Sequence, residues 1–265
     1  MSKGPIAMDY QTLTSDVEDG VAVITLRRPD VMNSLNTQMR AELNHALRTA
    51  GDVARVVVIT GEGRAFSAGQ DLGDAGNLND LNLERLLRDE YSPILRAIAD
   101  VPIPVIAAVN GVAAGAGANI ALACDVVIAA ESASFMQAFS KIGLIPDAGG
   151  TFTLPRKVGM AKAMGLAFFA EKLSAREADE MGLIWEAVDD ASFEAHWKAR
   201  AKALATGPTQ AFSRIKRAMR ASLDNDLEEQ LLLEAQLQGQ AGKTRDFKEG
   251  VLAFLEKRPA TFEGR

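Results

Sequence analysis

The chain has 265 residues, 48% of them hydrophobic and 24% charged, with a formal net charge of -6. That length can bury a substantial core, and the acidic balance argues against a general nucleic-acid or anionic-membrane partner. A single cysteine, Cys124, excludes an intramolecular disulfide and a multi-cysteine zinc site, and the only histidines, His45 and His196, sit in polar helix-like contexts that support neither a Ser-His-Asp triad nor a histidine-rich metal site.

The opening Met-Ser-Lys-Gly-Pro lacks the long apolar segment of a signal peptide, and no run approaches the length needed to cross a bilayer, so the expected compartment is the cytoplasm. Asp19-Gly20 signals a hairpin turn between strands expected over 13–17 and 21–26. Arg27-Arg28-Pro29 stops the second strand. A helix is expected over 37–49, with Met39, Leu43, Ala46 and Leu47 on one face and Thr37 as its cap. Residues 55–60 form a short apolar strand that runs into a glycine-rich loop ending at Asp71-Leu72. Helix-spaced apolar residues return over 83–98, and Val101-Pro-Ile-Pro104 separates them from an unbroken apolar strand over 105–109, expected to be buried on both faces.

Asn110-Gly111 breaks that strand, and 112–119 hold only small residues and one amide. Gly115 and Gly117 remove side chains that would keep another molecule off the main chain. A helix starting at Ala116 would aim its unpartnered first N–H groups at an incoming oxygen, and its dipole would favour negative charge there. Tight packing of a small-residue helix on a sheet uses the same composition, so both readings stand. Cys124 reads as a small core residue, and Asp125 as a hydrogen-bonded structural acid at a strand start.

A strand is expected over 126–129, and the third glycine-rich loop, 141–151, carries Asp147 in an apolar frame. A helix follows over 158–170. Ser174-Ala-Arg-Glu177 matches a capping box for the next helix, which ends at Gly182. A last strand is expected over 184–188, and all beyond 192 is helical in pattern. Gly207-Pro208 divides a mixed core, 1–206, from a helical region, 207–265, where Leu227, Leu231, Leu232, Leu233 and Leu237 make an apolar face that either folds back or packs on another subunit. Alternating strands and helices indicate an α/β fold.

In layered α/β folds ligands gather at loops that follow strands. Gly115-Ala-Gly and Ala68-Gly-Gln-Asp each offer backbone N–H groups, enough for a two-donor hole around a carbonyl becoming an oxyanion. Asp147, between Pro146 and Ala148-Gly149-Gly150, has little side-chain compensation and would be hard to ionise if desolvated, which suits a base working near neutral pH. It also reads as a turn or N-cap aspartate. Asp71 reads as a cap, and Asn119 either orients a bound group or bonds backbone in a buried turn. Walker and dinucleotide glycine motifs are absent.

Together, Arg28-Pro29-x-x-x-Asn33-Ser34-Leu35, Arg64-Ala-Phe-Ser-Ala-Gly-Gln-Asp-Leu72, Pro104-Val-Ile-Ala-Ala-Val-Asn-Gly111 through Cys124-Asp125, Gly143-Leu-Ile-Pro-Asp-Ala-Gly-Gly150 and Gly250-Val-Leu-Ala-Phe-Leu-Glu-Lys-Arg258 resemble the crotonase, or enoyl-CoA hydratase/isomerase, superfamily. The resemblance implies a spiral of ββα units, with C-terminal helices that build a homotrimer or a hexamer of stacked trimers. It implies an acyl-CoA thioester substrate, with coenzyme A arriving as part of the substrate and no separate cofactor or metal. The thioester carbonyl would be held by the N–H groups of Ala68 and Ala116. Pantetheine would pass Gly69, Gln70, Asp71 and Leu72, with Gly115 and Phe139 also lining the substrate. Arg27, Arg28, or Lys257 of a neighbouring subunit, would meet the CoA phosphates, and the acyl pocket would draw on 74–91.

Hydratases of this family carry two glutamates, whose matching positions here are Asn119 and Phe139. Asp147 instead matches the aspartate of the family's proton-shuttling isomerases. The resemblance is nearest to the phenylacetate-degrading isomerases, which convert a ring-1,2-epoxide to an oxepin and shift a 3-enoyl double bond to position 2. A fatty-acid 3-to-2 enoyl-CoA isomerase shares these motifs, and a noncatalytic acyl-CoA binding protein is the alternative of another class. Nucleophilic use of Asp147, as in aryl-CoA dehalogenases, also needs a histidine that this chain does not place nearby.

Overall fold

The computed structural model describes residues 9–73 and 82–265, so the part of the expected acyl pocket over 74–81 lies outside the described residues. The chain opens with β1 (Leu13–Glu18) and β2 (Val21–Leu26), paired antiparallel from Leu13 opposite Leu26 to Glu18 opposite Val21. Asp19 and Gly20 join them with φ of 49° and 79°, the left-handed pair that a two-residue hairpin turn requires. Ala22, Ile24 and Leu26 alternate into the core along β2. Helix α1 (Thr37–Ala50) buries Met39, Leu43, Ala46 and Leu47, as its spacing predicts. Its cap is Asn36, whose side chain accepts from the Met39 N–H at 2.9 Å, whereas Thr37 is already helical.

Thereafter strands come in pairs that split between two sheets. These are β3 (Val56–Gly61) with β4 (Ala65–Ser67), β5 (Val105–Val109) with β6 (Val112–Ala114), and β7 (Val126–Ala130) with β8 (Ser134–Met136). With two later strands, β9 (Leu173–Ser174) and β10 (Glu186–Val188), the first member of each joins a six-stranded sheet of order β1-β2-β3-β5-β7-β10, and the second joins a four-stranded sheet of order β4-β6-β8-β9. Helical structure follows each pair. After β4 come α2 (Leu83–Leu86), a π turn (Leu87–Tyr91) and α3 (Ser92–Asp100); α4 (Ala116–Ala123) follows β6; α5 (Gly150–Phe169) follows β8. This is the spiral of ββα units. β5 is buried at every position, as expected for a strand covered on both faces.

β9 (Leu173–Ser174) leads into α6 (Ala175–Glu180), where Ser174 and Glu177 form the expected capping box. β10 (Glu186–Val188) closes the large sheet against β7. The helices α7 (Asp190–Ala205), α8 (Thr209–Ala221), α9 (Leu227–Ala241) and α10 (Arg245–Glu256) complete the chain, with Gly207-Pro208 between α7 and α8. Arg55 ties this region back to the sheet by donating to Thr209 Oγ1 at 2.8 Å and to the Gly207 carbonyl. On α9, Leu237 is buried while Leu227, Leu231 and Leu232 stay exposed in the single chain.

The helix expected over 158–170 forms beyond Gly159, whose φ of 74° divides α5 into two helices, and a further helix that the sequence reading left out precedes it from Gly150. Pro155 and Gly159 disguise that earlier helix in the sequence, because both residues usually mark the end of a helix. Among the described residues no helix is long and apolar enough to cross a membrane.

Candidate active site

Because β4, β6 and β8 lie side by side and parallel, the segments that follow them emerge at one end of the small sheet. Gly115 follows β6 with φ 52° and ψ -127°, a conformation suited to glycine, and lets the chain turn at once into α4. The first bond of α4 runs from the Asn119 N–H to the Gly115 carbonyl at 3.1 Å. The N–H groups of Ala116, Gly117 and Ala118 therefore have no intrahelical partner, and no side chain caps them. The small residues of this stretch serve both sequence readings. Gly117 packs on Ser67, where a Cβ would stand 2.5 Å from the Ser67 carbonyl oxygen, and the helix still opens with donors that no side chain caps among the described residues.

The loop after β4 corrects one assignment. The Ala68 N–H donates to the Met32 carbonyl at 2.9 Å, so it is not available to a substrate. Leu35 instead bonds on both sides of Gln70, its N–H to the Gly69 carbonyl at 2.7 Å and its carbonyl to the Asp71 N–H at 3.2 Å, a parallel bridge. In such a bridge the N–H of the residue between points the other way. The Gln70 N–H has no acceptor among the described residues and faces away from Leu35. Gly69 brings this segment against α4, for a Cβ there would lie 2.7 Å from the Ala114 oxygen and 3.2 Å from the Ala116 nitrogen. The free donor next to Ala116 is thus Gln70, two positions beyond Ala68.

Asp147 sits in the turn that starts α5. Ala148 and Gly149 both have positive φ, 43° and 79°, and the Asp147 carbonyl accepts from the Gly150 N–H and from Asn119 Nδ2, each at 2.8 Å. Asn119 is fully buried, and its Oδ1 accepts from Gln137 Nε2 at 2.8 Å. Of the two readings of Asn119, the geometry selects the brace on a buried turn. It also leaves the Asp147 side chain without a capping role. Asp147 Oδ1 is buried with no hydrogen-bond partner among the described residues, as is Gln137 Oε1 at the other end of the brace. Desolvation alone pushes the Asp147 carboxyl up from 3.8 to about 6. An unpartnered carboxylate with a raised pKa is a proton acceptor matched to neutral pH.

The remaining candidates divide. Phe139 is buried, with its Cζ 3.7 Å from where a Gly115 side chain would begin. Arg28 Nη1 donates to the Ser34 carbonyl and to Asp71 Oδ2, both at 2.7 Å, and its guanidinium holds the Asp71 carboxyl below the usual range. This pair braces the loop that carries Gly69 and Gln70. Asp71 also accepts from the Gly73 N–H at 3.0 Å, the expected cap, and Leu72 is exposed beside it. Lys257 follows α10 in a left-handed conformation and is exposed. Cys124 and Asp125 are structural, as read. The thiol is buried and pushed up to about 12, and Asp125 pairs with Lys216 at 2.8 Å and Arg220 at 2.7 Å. Sequence reasoning missed the Gln70 N–H and the Gln137 side chain, neither of which a motif marks. A separate cavity of about 920 Å³ between α3, α5 and α8 touches the Asp147 turn only through Gly149.

Comparison with known proteins identifies the family. The enoyl-CoA hydratase/isomerase family profile matches residues 16–265. A protein of Rhodobacter capsulatus named probable enoyl-CoA hydratase is 62% identical over 97% of this chain and 100% of its own length. The 1,2-epoxyphenylacetyl-CoA isomerase of Escherichia coli is 47% identical over 96% of this chain and 98% of its own. The crystal structure of an enoyl-CoA hydratase from Bacillus anthracis superposes with a TM-score of 0.89 at 35% identity, covering 96% of this chain and all of that one.

Proposed function

The chain belongs to the enoyl-CoA hydratase/isomerase family, and we propose that within it this protein is an acyl-CoA isomerase that uses Asp147 as a proton shuttle. The observation that carries the proposal is the Asp147 carboxylate, desolvated and without a hydrogen-bond partner on Oδ1 among the described residues, on the turn braced by Asn119 of α4, the helix whose first N–H groups have no intrahelical partner. Binding of a thioester carbonyl by the Ala116 and Gln70 N–H groups would acidify the adjacent C–H bonds, because the enolate's charge develops on an oxygen that meets preorganised donors. Asp147 takes a proton from the carbon next to the thioester. As the double bond moves, the same carboxyl returns that proton to the far end of the allylic system, so nothing is added or lost.

Hydration needs groups that activate water. At the two positions where hydratases resembling this chain carry glutamates, Asn119 is spent on backbone and Gln137 contacts and Phe139 is a buried ring. The substrate we favour is the ring-1,2-epoxide of phenylacetyl-CoA. Its ring expands to the oxepin while the proton taken beside the thioester returns to a ring carbon. A linear 3-enoyl-CoA is the second substrate. The similarity to the isomerase of Escherichia coli supports this choice. The exposed leucines of α9 support assembly into a trimer or hexamer, and the setting we propose is cytoplasmic.

Incubation with the aromatic epoxide, with 3-hexenoyl-CoA and with crotonyl-CoA separates the readings. The proposal expects products of unchanged mass from the first two. Addition of water to crotonyl-CoA outpacing both would overturn it in favour of a hydratase. Action on the linear ester alone would select the fatty-acid isomerase, and tight binding without any turnover a noncatalytic acyl-CoA binder.

A further inference from the structure

The Gln70 side chain is held more firmly than a residue valued only for its backbone needs to be. Its Oε1 accepts from Tyr91 Oη at 2.6 Å and from Arg40 Nη1 at 3.0 Å, and its Nε2 donates to the Asp71 carbonyl at 3.2 Å. Two donors on one oxygen fill both lone pairs and fix which end of the amide is which. Arg40 Nη1 also donates to the Leu35 carbonyl, the group that bridges the backbone on the other side of Gln70. The Arg40 side chain is 2% exposed, pairs through Nε with Glu90 Oε2 at 2.8 Å, and lies 5.3 Å from the centre of the Tyr91 ring.

Tyr91, 2% exposed, ends the π turn Leu87–Tyr91, a local irregularity of the helical ladder of the kind that recurs at functional sites. Burial holds its phenol above the usual range, so it stays a donor at every working pH.

We propose that Tyr91 and Arg40 clamp the Gln70 side chain and thereby set the direction of the Gln70 N–H, making Tyr91 a positioning residue for the thioester carbonyl. The proposal rests on the reading of Gln70 and Ala116 as the oxyanion donors. Arg40 holds at once the Gln70 side chain and the Leu35 carbonyl that accepts from the Asp71 N–H, while the Leu35 N–H donates to the Gly69 carbonyl, so Gln70 is fixed through its side chain and through the peptides on either side of it. Removing the Tyr91 hydroxyl leaves the ring and its packing in place but frees one side of the amide. The hole then loses alignment without losing a donor.

The test uses crotonyl-CoA labelled with 13C at the thioester carbonyl, whose infrared stretch moves to lower frequency when the carbonyl is polarised. Tyr91→Phe and Gln70→Ala are compared with wild type and with Tyr10→Phe, which removes the only other tyrosine hydroxyl, bonded to His45 at 2.8 Å. A misplacement of 1 Å costs about 100-fold, so a partial one is expected to lower kcat on 3-hexenoyl-CoA roughly tenfold, with KM within about twofold and about half of the carbonyl shift lost. Tyr10→Phe should match wild type. Full retention of the shift and of kcat in both Tyr91→Phe and Gln70→Ala would overturn the clamp while leaving the oxyanion hole standing. No shift in wild type would overturn the hole itself, and the clamp with it.

Discussion

Asp147→Asn trades activity for stability, and the size of the gain follows from the site. A carboxyl pushed from 3.8 up to about 6 is ionised in the folded protein at a cost of up to about 3 kcal/mol. The side chain is half-buried, so solvent screening brings the expected burden nearer 2 kcal/mol. The folded state binds this proton more tightly than the unfolded state, so the group lowers stability as pH rises from about 4 to about 6, and the full burden persists above that. Asparagine has nearly the same shape and no charge. At pH 8 the variant should gain about 2 kcal/mol in urea unfolding, or roughly 4 to 8 °C in Tm, at matched protein concentration. At pH 4 most of the gain should be gone. Turnover should fall by at least about 100-fold, since the amide cannot accept the proton. In wild type, kcat/KM should drop about tenfold per pH unit below about 6. A variant less stable than wild type at pH 8 would refute the assignment of Asp147 as a desolvated, unpartnered acid.

Asn119→Ala leaves Gln137 Nε2 without its acceptor and the Asp147 carbonyl with one donor fewer, so it should cost roughly 1 to 3 kcal/mol by thermal unfolding and lower kcat more than it changes KM. Arg28→Met keeps the alkyl stem but unpairs Asp71, and roughly 1 to 3 kcal/mol should be lost in urea titrations at neutral pH. Asp71 has a depressed folded value, so that difference should be complete above pH 3.8 and fade as the pH falls below it. Cys124, buried and pushed up to about 12, should resist a thiol reagent at pH 8 until denaturant is added and then react fully, as followed by mass spectrometry.

Much of this was legible in the chain because it is local. Asp19-Gly20 set its own turn, Ser174 and Glu177 their own capping box, and 105–109 its own two-sided burial. Asp147 stood out as the one acid in an apolar frame. What could not be read depends on partners far along the sequence. Whether Ala68 or Gln70 presents a free N–H is decided by Met32 and Leu35, which take the alternate positions of the loop. Arg28 was a free cation in the sequence and became a brace only when folding brought Asp71 within 2.7 Å. Asn36 rather than Thr37 caps α1 because the helix begins one residue earlier than a threonine cap allows, and both residue types cap well.

Leu227, Leu231 and Leu232 of α9 and Phe254 of α10 are exposed in the single chain, and the proposed assembly would cover them. The proposed proton transfer draws on the three loops that the spiral gathers at one end of its small sheet, where Asn119, itself buried, ties the Asp147 turn to the helix bearing Ala116.

The most direct test follows the proton itself. The enzyme is incubated in deuterated water with 3-hexenoyl-CoA, and the position of the double bond and of deuterium is read by NMR. Migration from position 3 to position 2, abolished in Asp147→Asn, is the predicted result. Neither migration nor exchange in a folded wild type that binds the ester would contradict the proton shuttle.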